Sequence, residues 1–94
     1  MFLRKYQKLK EQHQKIHQEG NILFIFCKEL KMDQLNEKLQ KEIEYVVALD
    51  LEIAGQNCFK HFELLNQLLV PKLKIILNGA FHLCYKLEKI HSNC

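Results

Sequence analysis

Apolar residues recur through the stretch 71–91, PKLKIILNGAFHLCYKLEKIH, at alternating intervals of three and four. Leu73, Ile76, Ala80, Leu83, Leu87 and Ile90 carry the rhythm, and Leu77, Phe81 and Cys84 widen the same side. At about 100° per residue these positions fall within an arc of roughly 180°. Lys72, Asn78, Gly79, His82, Lys86 and Lys89 lie opposite, with Ile75 the exception. The pattern predicts an amphipathic helix over 72–91 with one broad buried face. Asn78-Gly79 offers a competing hairpin turn, because both residues tolerate positive φ. Register argues against it. A two-residue loop sets Ile76 opposite Phe81, Lys74 opposite Leu83 and Lys72 opposite Tyr85, which mixes lysines with large apolar groups on one face.

The preceding segments read in the same way. Over 2–19, Phe2, Tyr6, Leu9, His13 and Ile16 form a thin seam on a helix otherwise made of Lys, Gln and Glu. Gly20-Asn21 suits a helix stop. The run ILFIFC at 22–27 is the most apolar in the chain, and periodicity alone does not separate strand from buried helix there. Its β-branched and aromatic content favours a strand. A lone strand has no partner for its backbone groups, so 21–31 is read as a short buried helix. Asp33 is a candidate N-cap for a helix over 33–54, carrying Leu35, Leu39, Ile43, Val46, Val47, Ile53 and Ala54. Asp50 falls inside that stripe. It must lie at the edge of the buried face, or be held by a cation or hydrogen-bond donors, since a lone buried carboxylate is costly. Cys58, Phe62, Leu65, Leu68 and Leu69 mark a helix over 57–70, which Pro71 ends. Gly55-Gln56-Asn57 either separates the last two segments or lies within one helix running from 33 to 70. The expected fold is therefore all-α: a single domain, 1–94, formed as a small antiparallel bundle of four or five helices. No internal repeat, low-complexity tract or linker stands out.

Composition agrees with that class. Three Gly and one Pro are few for a fold with many turns. Ninety-four residues suit one modest core. The formal net charge of +3 comes almost wholly from lysines interspersed with acids, and Arg4 is the single arginine. That describes a solvated surface better than a nucleic-acid stripe. The sequence carries no apolar signal core after Arg4-Lys5 and no apolar run long enough to span a membrane. An intracellular location with free thiols at Cys27, Cys58, Cys84 and Cys94 is the expectation.

Candidate chemistry is thin. His13 and His17 stand at i, i+4, but Gln14 occupies the place of the glutamate that the zinc-protease pattern requires. Cys58-Phe-Lys-His61 and His91-Ser-Asn-Cys94 pair soft ligands at equal spacing, without the glycine-bearing turns of structural zinc sites. Cys58 beside His61 lacks an orienting third group and an oxyanion site. The carboxylates Glu42, Glu44, Asp50 and Glu52 lack the Glu-x-x-His pairs of di-iron bundles. No catalytic, cofactor-binding or metal residue is assigned, and no enzyme activity is expected. Phe24 and Phe26 exceed what a small core readily hides, and such patches mark binding surfaces. The expected role is a non-catalytic protein–protein interaction module, a subunit or adaptor that meets another chain or itself through an amphipathic helix. The alternatives are a metal- or redox-responsive protein using Cys58, His61, His91 and Cys94, or an RNA-associated basic subunit.

Overall fold

The computed structural model describes residues 2–11, 15–31 and 35–92. It overturns the expected helical bundle. Among the described residues there are two short helices, α1 (Phe2–Lys10) and α2 (Glu37–Glu42). The remaining elements are strands: β1 (Ile16–Glu19), β2 (Ile22–Ile25), β3 (Glu29–Leu30), β4 (Tyr45–Val47), β5 (Ile53–Ala54), β6 (Gln67–Leu69), β7 (Ile75–Ile76) and β8 (Lys89–His91).

The chain winds as a β-solenoid. One sheet has the order β1-β2-β4-β6-β8 and a second β3-β5-β7. All pairings are parallel except β1 with β2. Successive coils superpose Leu23 on Val46, Val46 on Leu68 and Leu68 on Ile90, so the later coils advance by 22 residues. That register exposes an internal repeat in the sequence. Leu51-Glu-Ile-Ala-Gly-Gln-Asn-Cys-Phe59 returns as Leu73-Lys-Ile-Ile-Leu-Asn-Gly-Ala-Phe81. Ile43-x-x-Val46 returns as Leu65-x-x-Leu68 and Leu87-x-x-Ile90. The left-handed corners repeat as well, Asn57 with Gly79 (φ 57° and 72°) and His61 with Leu83 (φ 67° and 64°).

The core fills the interior of the coil. Leu23, Val46 and Leu68 from the first sheet, Leu30 and Ala54 from the second, and Phe59 and Phe62 from the third side are all at most 1% exposed. The third side is laddered too, with Phe59 N–H donating to the Ala80 carbonyl (2.8 Å) and His61 N–H to that of His82 (2.9 Å). Phe59 and Phe81 stack with centroids 5.4 Å apart. These bonds satisfy the backbone without a helix.

Each expected helix is thereby corrected. Among the described residues of 2–19, Phe2–Lys10 is helical and Ile16–Glu19 is a strand. Gly20-Asn21 is a two-residue hairpin loop between Glu19 and Ile22, with Gly20 at φ 59°. The run at 22–27 is strand β2, and β1 and β4 supply the partners it was thought to lack. Among the described residues of 33–54, only Glu37–Glu42 is helical, and its cap is Asn36, whose Oδ1 accepts the Leu39 N–H at 3.0 Å. Asp33 lies outside the described residues. Residues 57–70 and 72–91 form turns and strands β6, β7 and β8, and Pro71 ends a strand. The amphipathic helix expected at 72–91 does not exist. Its three–four rhythm has another source: Leu73, Ala80, Leu83 and Leu87 sit at successive corners of a coil that turns every few residues.

Candidate functional site

In a strand, alternate side chains face opposite sides. With Leu23, Val46 and Leu68 inside, the outer face of the five-stranded sheet carries Ile22 and Phe24, Tyr45 and Val47, Gln67 and Leu69, and Lys89 and His91. This face is unusually apolar for a solvent side. Helix α1 covers part of it: Tyr6 and Leu9 pack with Phe24, Phe26 and Val47 in a second small core. Tyr6 is 2% exposed, and its ring lies 4.8 Å from that of Phe26. The phenylalanines expected to mark a surface patch are thus buried under α1.

The strap is fastened by Asp50. The Tyr6 hydroxyl donates to the Ile25 carbonyl (2.9 Å) and accepts from the Asp50 N–H (3.2 Å). Lys10 Nζ reaches Asp50 Oδ2 at 2.6 Å, and Lys72 Nζ reaches Oδ1 at 3.3 Å. Partial burial pushes the Asp50 carboxyl up, but hydrogen bonds from Lys10, Lys72 and Tyr6 outweigh it and hold the group below its ordinary value. The carboxylate inside the apolar stripe is therefore held by cations and a donor. Burial, with the Asp50 charge behind it, raises the Tyr6 phenol well above its ordinary value. Replacing Tyr6 by Phe should cost about 1–3 kcal/mol, because the Ile25 carbonyl loses its donor in a buried place. A lowered melting temperature, with faster proteolysis near α1, would register this. An unchanged profile would show that α1 is not fastened there.

Beyond α1 the face is open. A cleft of about 240 Å³ is lined by Tyr45, Val47, Gln67, Leu69 and His91. Val47 and Leu69 form an apolar floor, Tyr45 stands 39% exposed, and His91 Nε2 lies 3.3 Å from Gln67 Oε1 at the rim. An apolar floor with a few polar groups is the general form of a binding cleft. The residues fall in two columns, Tyr45-Gln67-Lys89 and Val47-Leu69-His91, one position per coil. Sequence reasoning passed over them because the columns are visible only once the 22-residue step is known.

The cysteine and histidine candidates are dispersed. Cys58 is buried in the core, His61 is exposed on a turn and His91 is exposed on β8. Cys94 and His13 lie outside the described residues. No group of three or more His, Cys, Asp or Glu able to hold a metal occurs among the described residues. Cys27, Cys58 and Cys84 are free thiols. Burial pushes all three up, Cys58 to about 12. The Cys84 thiol donates to the Phe59 carbonyl at 3.1 Å.

A raised pKa means that the folded chain holds the proton more tightly than the unfolded chain does. The contribution of Cys58 to stability is complete below its ordinary value of 9.0 and is lost as pH rises towards about 12. The loss is about 1.4 kcal/mol per pH unit for one group, and Tyr6 adds to it at the upper end. Chemical denaturation at rising alkaline pH should show the midpoint falling through this window. A midpoint that stays level would contradict the burial of these groups.

No helix of the described residues is long and apolar enough to cross a membrane. No protein-family model, curated protein or solved structure matches this chain.

Proposed function

We propose that this chain is a non-catalytic protein-binding module, a subunit or adaptor in which the solenoid is a rigid frame and the outer sheet face beside α1 is the docking surface. The observation that carries this reading is the cleft floored by Val47 and Leu69 and rimmed by Tyr45, Gln67 and His91. Its side chains stand on neighbouring strands at fixed spacing, which suits recognition of another chain without induced order. Stacked repeats commonly use such extended faces for binding. The non-catalytic part is supported by the thiols: Cys58 is held protonated by burial, which removes the most nucleophilic candidate from reaction. Three free thiols also fit a reducing, intracellular compartment.

The test compares the protein with Leu69→Asp and Tyr45→Ala variants, each first checked for an unchanged melting transition. The wild-type chain should retain a protein partner from its native source at a defined stoichiometry, and both variants should lose it. Retention of the same partner by both variants would refute the assignment of this face.

A further inference from the structure

The two ends of the solenoid differ. At one end, β1 closes the first sheet in antiparallel fashion and presents His17, Gln18 and Glu19 along its length. At the other end, β7 and β8 are the outermost strands of both sheets. Five of the six large apolar side chains exposed among the described residues belong to this last turn: Ile75, Ile76, Leu77, Tyr85 and Ile90, between 38% and 72% exposed. A cleft of about 280 Å³ opens between the two strands, lined by Leu73, Lys74, Ile76, Ile90 and Ser92.

The internal coils show what fits there. Charge alternates from coil to coil on the second-sheet side. Asp50 meets Lys72, and Glu52 meets Lys74 at 3.7 Å, each one repeat apart. The lysines form the outermost rung and remain 62% and 67% exposed. The wider balance agrees: residues 1–71 hold ten basic and ten acidic side chains, whereas 72–94 hold four and one. A second copy docked last turn against last turn would set lysines against lysines. The next strand must instead bring carboxylates.

We propose that the β7 edge receives an extended segment of another protein in which acidic and apolar residues alternate. The segment adds as the next parallel or antiparallel strand. One apolar side chain enters the cleft beside Ile76 and Ile90, and its carboxylates face Lys72 and Lys74. This surface is separate from the outer sheet face and does not depend on it.

The probe is a fluorescent synthetic peptide alternating Glu with Ile and Val, with two controls: Lys in place of Glu, and Ser in place of the apolar residues. Anisotropy should show binding of the first peptide alone, weakening with added salt. Ile76→Ser should reduce its affinity about tenfold or more, as expected for an anchor side chain. Lys72→Gln combined with Lys74→Gln should reduce it by roughly two- to tenfold. Both lysines are exposed, so this second variant carries the test even where Ile76→Ser disturbs the fold. Equal binding of either control peptide, or unchanged affinity in the double lysine variant, would overturn the proposal. Sedimentation as a dimer that Ile76→Ser dissociates would also overturn it, and would assign the edge to a second copy.

Discussion

Phe59→Ala is expected to cost about 3–5 kcal/mol, the range for removing a fully buried aromatic. Phe59 is completely buried. Its ring meets Phe62 edge-on at 5.5 Å and stacks on Phe81 at 5.4 Å. Its backbone N–H donates to the Ala80 carbonyl and its carbonyl accepts the Cys84 thiol, so the residue joins two coils at once. A domain of this size has about 5–15 kcal/mol of stability in total. Each kcal/mol lost lowers the melting temperature by about 4–8 °C, so the variant should melt far below the wild type or be unfolded at ambient temperature. Phe81→Ala, at the more open end, should cost clearly less, because Phe81 is only partly buried. Calorimetry of both variants checks the order, and equal losses would contradict the stacking of the coils.

Gly55→Ala should be nearly as damaging for a different reason. A Cβ at Gly55 would run into the backbone carbonyl of Leu30, in the adjacent coil, and neither chain can yield freely there. The Gly55 N–H donates to that same carbonyl at 2.8 Å. Overpacking costs about 1–3 kcal/mol, and a buried hydrogen bond left unmade costs about 1–3 kcal/mol more. Gly20 is the comparison: a Cβ there meets nothing, and only its φ of 59° opposes a side chain. Gly20→Ala should therefore cost about 1–2 kcal/mol, the penalty of the left-handed region. Denaturant midpoints should place Gly55→Ala well below Gly20→Ala. The reverse order would mean that β3 and β5 do not approach as described.

The sequence showed which residues are apolar enough to be buried, and the core does contain Leu35, Leu39, Ile43, Val46, Leu65, Leu68 and Leu73. It did not show how the chain travels between them. Intervals of three and four are produced by a helix, and equally by a coil whose corners fall every few residues. Leu73, Ala80 and Leu87 satisfy both. The distinguishing signal was the longer period. Leu51-Glu-Ile-Ala and Leu73-Lys-Ile-Ile share a pattern at a distance no local window spans. The strand content of ILFIFC is legible, but its partners are not: β1 lies just across the Gly20-Asn21 turn and β4 lies 23 residues on. Asn78-Gly79 carries the hairpin signal that register argues against, whereas the hairpin forms at Gly20-Asn21. Of the two places open to Asp50, the edge of the buried face or the grip of a cation or donors, the second is met by Lys10, Lys72 and Tyr6 from distant positions. The face proposed for docking could not be read in advance, because Tyr45, Gln67 and His91 become neighbours only through the winding.

The most direct test of the winding is nuclear magnetic resonance of the labelled chain, reading backbone proton contacts between strands. The account predicts cross-strand contacts joining Leu23 to Val46, Val46 to Leu68 and Leu68 to Ile90, each one coil apart. An unbroken series of contacts between residues three apart from Lys72 to His91, with no link from Leu68 to Ile90, would contradict it.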